Sequence, residues 1–277
     1  VVTRILGAVL RGILVALLIA MPSILLPSHT MRSGEIVVLL SLLAAVLTIS
    51  EYSSNFPSFV EFRDAPPLNR MRFVCLALIL FSLSMITQNQ FEATNGTALI
   101  AGLGQLAGSL LDFPYSPVRL VLLVLPPEVP LATIETARAA AAVAYLIALA
   151  TVLGFVVTIK VLNWPVGNGA FNVWINLPLF DPTTGGDVVH RLQRDGRINV
   201  MLGFLLPFAI PAFVKLAADI VDPNLLLPPH TLIWTVGAWA FLPASMLMRG
   251  MAMLRIADLI EEKRRRAYAN SESMRPA

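Results

Sequence analysis

Residues 139–159 read AAAAVAYLIALATVLGFVVTI, a run without one charged side chain, bounded by Arg138 and Lys160. About 20 helical residues, each rising ~1.5 Å, cross the ~30 Å hydrocarbon layer of a bilayer. This stretch meets that length alone and predicts a spanning helix over 138–162. Five other apolar runs flank it, at 5–27, 36–51, 72–88, 199–221 and 231–254. Lipid offers no partner to a peptide group, so each run is expected to be helical and to close its own hydrogen bonds. The expected fold is an all-α integral membrane protein with six transmembrane helices.

Composition agrees. The chain is 57% hydrophobic and 13% charged, whereas a soluble domain carries about 25% charged residues. Its mean hydropathy is +0.76. The longest polar connector, Trp164 to Asn199, is too short to build a core of its own. The expected organisation is a polytopic helical domain over 1–256 and a charged cytoplasmic helical extension and tail over 257–277. From Met246 to Tyr268 the sequence holds good helix formers and no Pro, so the last helix should outrun the bilayer. The run from Ile5 to Leu26 is longer than a signal-peptide core and no small-x-small site follows it, so it is read as a retained first helix.

Charge sorts by connector. Arg4, Arg11, Arg63, Arg70, Arg72, Lys160, Arg191, Arg194, Arg197, Arg249, Arg255, Lys263 to Arg266 and Arg275 fall on one predicted side. Arg32, Arg119, Arg138 and Lys215 fall on the other. The positive-inside rule then places both termini in the cytoplasm. Arg far outnumbers Lys, which fits a GC-rich bacterial genome, and the expected location is the bacterial inner membrane. The basic residues follow topology rather than forming a patch on a folded domain, so nucleic acid is not an expected partner.

Residues 98–111 and 118–125 are apolar but separately too short to span, and Asp112, Pro114, Pro117 and Arg119 divide them. They are expected to form a re-entrant or interfacial helical hairpin on the outer face, in preference to a seventh, kinked span.

Motifs that carry chemistry are sparse. His29, His190 and His230 sit in connectors or at helix ends, which argues against haem or chlorophyll ligation within the membrane. Cys75, the one cysteine, lies in an apolar run, where a buried thiol is the ordinary expectation. No metal or other cofactor is expected, although bound lipids are. Gly102-x-Gly104-x-x-Ala107 imitates a dinucleotide fingerprint without the preceding strand that motif needs. Gly104 and Gly108, with Ala140 and Ala144, are better read as close-packing positions between helices, within the chain or against a partner. Trp164 and Trp174 are expected to anchor the long connector at the interface. Its HRLQRDGR segment is expected to be a loop whose Arg191, Arg194 and Arg197, together with Arg264, Arg265 and Arg266, contact anionic lipid or a partner. Asp181, Asp187, His190 and Asp195 match no metal or triad template, and Asn95-Gly96-Thr97 matches a glycosylation sequon.

Two functions compete on these residues. The favoured one is a non-catalytic accessory or scaffold subunit of a larger inner-membrane complex, an energy-transducing one being one candidate, with other membrane subunits as partners. The alternative is a small permease or channel whose polar path follows Pro207, Pro211, Lys215 and Asp219 along the kinked run 199–221. A lipid-modifying enzyme would need clustered acids and histidines near an interface. EFRDAPPLNRMRF, residues 61–73, is distinctive but carries no recognisable activity.

Overall fold

The computed structural model describes residues 2–27, 34–165, 172–178, 180, 186–217 and 226–273. These fold into α1 (Val2–Leu25), α2 (Gly34–Ser53), α3 (Leu68–Gln88), α4 (Asn95–Leu111), α5 (Pro117–Leu122), α6 (Leu131–Lys160), α7 (Val173–Asn176), α8 (Val188–Leu216) and α9 (Pro229–Ser273). No strand occurs among the described residues. Six of the helices, α1, α2, α3, α6, α8 and α9, are long and apolar enough to cross a membrane. Each overlaps one of the six apolar runs.

The helix ends are set by local chemistry. Thr94 caps α4: its hydroxyl accepts from the Thr97 amide, and the Thr97 hydroxyl bonds back to the Thr94 amide. The Thr of the sequon is thus buried in a capping box. Asp112 closes α4, and Ser116 with Pro117 at the first helical position opens α5. The apolar stretch at 98–125 is therefore divided into two separate helices.

Three helices make the centre. α3, α6 and α9 pack on one another; α8 lies along α9, α4 and α5 lie on α6, and α1 joins α2 to the bundle through α3. The Ala-rich start of α6 is what permits this. Ala137 and Ala139 through Ala142 are almost wholly buried, so neighbouring backbones approach with little side chain between them. Cys75 is buried in the same core. The outward sides of α2 and α4 expose Leu39, Leu43, Leu47, Leu99, Leu103 and Leu106. An apolar surface of that extent suits lipid and is disfavoured in water.

Two expectations need correction. Residues 190–197 are not a loop: HRLQRDGR forms the opening turns of α8, which begins at Val188 under the Asp187 cap. Polarity ended the apolar run at Asn199, but a helix leaving a membrane keeps its hydrogen bonds whether or not its side chains are apolar. Trp164 is not an interfacial anchor. It is 3% exposed, its ring meets Phe155 at 5.4 Å and Phe62 at 6.1 Å, and its indole N–H donates to the Pro66 carbonyl at 3.0 Å. The side chain of Trp174 lies outside the described residues.

Candidate partner-docking surface

One end of the bundle gathers the connectors richest in arginine. The 54–67 connector, α7, the start of α8 and the far half of α9 meet there. Its fixed point is Glu61. The carboxylate takes two bonds from the Arg249 guanidinium, at 2.5 and 2.7 Å, and the Glu61 carbonyl accepts from Asn69 Nδ2 at 2.7 Å. Arg72, on the first turns of α3, donates to the Ser245 carbonyl of α9 at 3.1 Å. The connector, α3 and α9 are thereby tied by charge.

Around this point the connector is closed on itself. Glu51, 4% exposed at the end of α2, accepts from the backbone amides of Ser58, Phe59 and Val60. Phe62 is fully buried with φ 55°, a left-handed backbone that costs a bulky residue about 1–3 kcal/mol. The Phe62 amide donates to the Asn176 carbonyl at 2.6 Å and the Asp64 amide to Asn176 Oδ1 at 3.0 Å. The distinctive EFRDAPPLNRMRF segment is thus a structural clasp.

From this end α8 and α9 run on together as an antiparallel pair. The crossing is unusually close. A Cβ on Gly250 would stand 2.6 Å from the Gly196 carbonyl oxygen and 2.9 Å from the Val200 nitrogen; one on Gly203 would stand 2.7 Å from the Pro243 carbonyl oxygen. Only glycine allows such backbone contact. In the sequence, Gly104-x-x-x-Gly108 is the more visible packing signal. The heptad interval from Gly196 to Gly203 was the available signal for this crossing.

The basic residues expected to meet lipid or a partner lie on this pair. Arg264 Nη1 bonds Asp187 Oδ1 at 2.7 Å, pinning the α9 extension to the α8 cap. Arg265 and Arg266 pair with Glu261 and Glu262 one turn back. Arg194 pairs with its neighbour Asp195, and Arg191 lies over the Phe180 ring at 4.7 Å. Arg197 is exposed on α8. Residues 261–269 of α9 are exposed throughout.

The hydrogen bond from Arg264, followed by those from the Val189 and His190 amides, holds the Asp187 carboxyl below its ordinary value. A lowered carboxylate contributes stability above its unfolded value and loses it as pH falls through the folded one. The contact between the α9 extension and the α8 cap is therefore expected to loosen in strong acid and not at neutral pH. Spin labels at His190 and Tyr268 should report a longer, broader distance in acid. Arg264→Gln should show the broad distribution at both pH values.

The other candidate residues are placed as follows. Gly104 faces Ala139 and Ile86, and Gly108 faces Arg138; a Cβ on either would come within 3.0 Å of α6. Ala140 and Ala144 are fully buried. Pro207 and Pro211 are buried on the α9 side of α8. Pro211 lacks the N–H that would bond the Pro207 carbonyl, and the Trp239 indole supplies one instead at 3.0 Å. Lys215 is exposed. Asp219, His29, Arg32, Asp181 and Arg275 lie outside the described residues. At the opposite end Asp112 pairs with Arg119 at 2.7 Å and Arg138 at 3.7 Å. No group of three or more His, Cys, Asp or Glu side chains converges among the described residues.

Comparison with known proteins found no matching family model, no similar curated protein and no similar solved structure.

Proposed function

We propose that this chain is a non-catalytic accessory or scaffold subunit of a larger complex in a bacterial inner membrane, working through helix packing and through lipid and partner contacts. The observation that carries the reading is the length of α9. Its 45 residues extend about 68 Å, against the ~30 Å that a bilayer core requires. The excess is a charged helix exposed from Glu261 to Ala269. It is braced by α8 at the Gly196–Gly250 crossing and at Asp187–Arg264. A stiff, solvated arm held at a fixed angle to the membrane is suited to docking another subunit.

In this reading both termini are cytoplasmic, because the arginine-rich end is the inner one. α4 and α5 then form an outer-face hairpin that does not span. The Trp239–Pro207 bond favours the scaffold over a permease, since it uses one of the two carbonyls that Pro207 and Pro211 leave without a helical donor.

The test is extraction of the full chain from its native membrane in mild detergent, beside a chain ending at Ile260. The full chain should carry partner subunits at fixed stoichiometry. The shortened chain should stay in the membrane and lose them. A full chain that purifies alone as a monomer, or a shortened chain that retains every partner, would defeat the proposal.

A further inference from the structure

At the arginine-rich end, between α1 and the end of α2, lies an open cleft of about 600 Å³. Arg4, Gly7, Arg11, Tyr52, Arg63 and Asp64 are among its lining residues. Arg4, Gly7 and Arg11 recur at the helical interval and so share one face of α1. Gly7 leaves the floor of the cleft without a side chain, and a Cβ there would sit 3.0 Å from Arg11 Nη1.

Neutral groups hold the guanidiniums of Arg4 and Arg11, and carbonyls together with Asp64 hold that of Arg63. Arg4 donates to Asn55 Oδ1 at 2.8 Å and to the Ser54 carbonyl. Arg11 donates to the Gly7 carbonyl at 2.8 Å and lies 4.8 Å over the Tyr52 ring. Arg63 donates to the Glu51 and Ser54 carbonyls at 2.9 and 2.8 Å. Carbonyls and rings orient a cation without neutralising it. Among the described residues Asp64 is the one carboxylate lining the cleft, 3.3 Å from Arg63. The nearby Glu51 carboxylate, bonded by the amides of residues 58–60, keeps its charge too, so three guanidiniums stand against two carboxylates. Positive charge therefore exceeds negative in the cleft, and most N–H donors of Arg11 are left over for a ligand.

We propose that this cleft binds a phosphate-bearing anion, the chemistry shared by an anionic phospholipid headgroup and by free phosphate. Planar guanidiniums from two elements match the oxygens of such a group. Leu6 and Leu10 of α1 and Phe56 and Phe59 of the connector, on the elements that line the cleft, are all exposed. They would lie against acyl chains if the headgroup comes from the bilayer. That last feature rests on the membrane reading above; the charge and shape of the cleft do not.

The test uses the purified full chain in a neutral detergent, titrated with phosphatidylglycerol, phosphatidylcholine or inorganic phosphate and followed by native mass spectrometry and thermal shift. Arg11→Gln, at an exposed residue, and Gly7→Leu, which fills the floor, are compared with Arg265→Gln on the α9 extension. Phosphatidylglycerol should bind the wild type and Arg265→Gln alike and bind both cleft variants about tenfold more weakly. Helical circular dichroism should be unchanged in Arg11→Gln. If inorganic phosphate binds with the same dependence on Arg11 and phosphatidylglycerol does not, the site stands and its source is soluble. Equal binding of phosphatidylcholine, or unchanged binding in both cleft variants, overturns it. Failure to find partner subunits leaves these results untouched, so the two proposals fail separately.

Discussion

Glu61→Ala is expected to destabilise the fold by about 3 kcal/mol, more than Arg249→Ala. Removing one partner of a buried ion pair strands the other, at a cost of about 3–5 kcal/mol. The lower figure applies because the Arg249 side chain is 28% exposed and reaches some solvent, whereas that of Glu61 is 8% exposed. The asymmetry comes from Arg72. Without Glu61, Arg249 and Arg72 are like charges brought together by α9 and α3. Without Arg249, Glu61 keeps Arg72 as a nearby counter-charge. Reversible unfolding in mixed micelles, followed by tryptophan fluorescence, reads both single variants and the double variant. The double variant should lose less than the sum of the singles. Single losses below about 0.5 kcal/mol, the size of an exposed pair, would show that the clasp is held by packing alone.

Gly250→Ala is expected to cost about 3 kcal/mol, a large effect for one methyl group. The atoms its Cβ would meet are the Gly196 carbonyl oxygen at 2.6 Å and the Val200 nitrogen at 2.9 Å. Both belong to the α8 backbone, so no rotamer change relieves the clash and the helices must separate. Overpacking of this kind costs about 1–3 kcal/mol, and the backbone contact places it at the top of that range. Gly102→Ala is the control. Nothing lies within 4 Å of its Cβ, so it should be neutral or stabilise α4 by about 0.5–1 kcal/mol through helix propensity. Spin labels at Arg194 and Arg265 should report a longer α8–α9 distance in Gly250→Ala and an unchanged one in Gly102→Ala. An unchanged distance and unfolding midpoint in Gly250→Ala would contradict the close crossing.

Both expectations concern residues that the sequence showed without disclosing their use. Arg249 read as one more basic residue in a cytoplasmic group, and Glu61 as part of an unexplained phrase. Their bond closes 188 positions of chain, and no local pattern announces such a pair. Gly196 and Gly250 carry no local signal, because each is meaningful only against the other. Trp164 carried the usual signature of an interfacial anchor. Its burial depends on Phe62 and Phe155, which arrive from two other elements.

The sequence alone determined the six apolar helices, the segregation of arginine to one end and the overrun of the last helix. These are local properties: an apolar helix satisfies its own backbone, so composition within one window decides where it lies. Tertiary structure alone decided which faces meet and where the charges go. It set the Gly196–Gly250 crossing, the Glu61–Arg249 clasp and the basic cleft beside Arg11. It also showed that α8 begins at Val188, because a helix ends where its hydrogen bonds end and not where its hydrophobicity does. Lipid is as apolar as a leucine side chain, so hydrophobicity cannot choose a helix face; shape and charge complementarity across distant segments must do so.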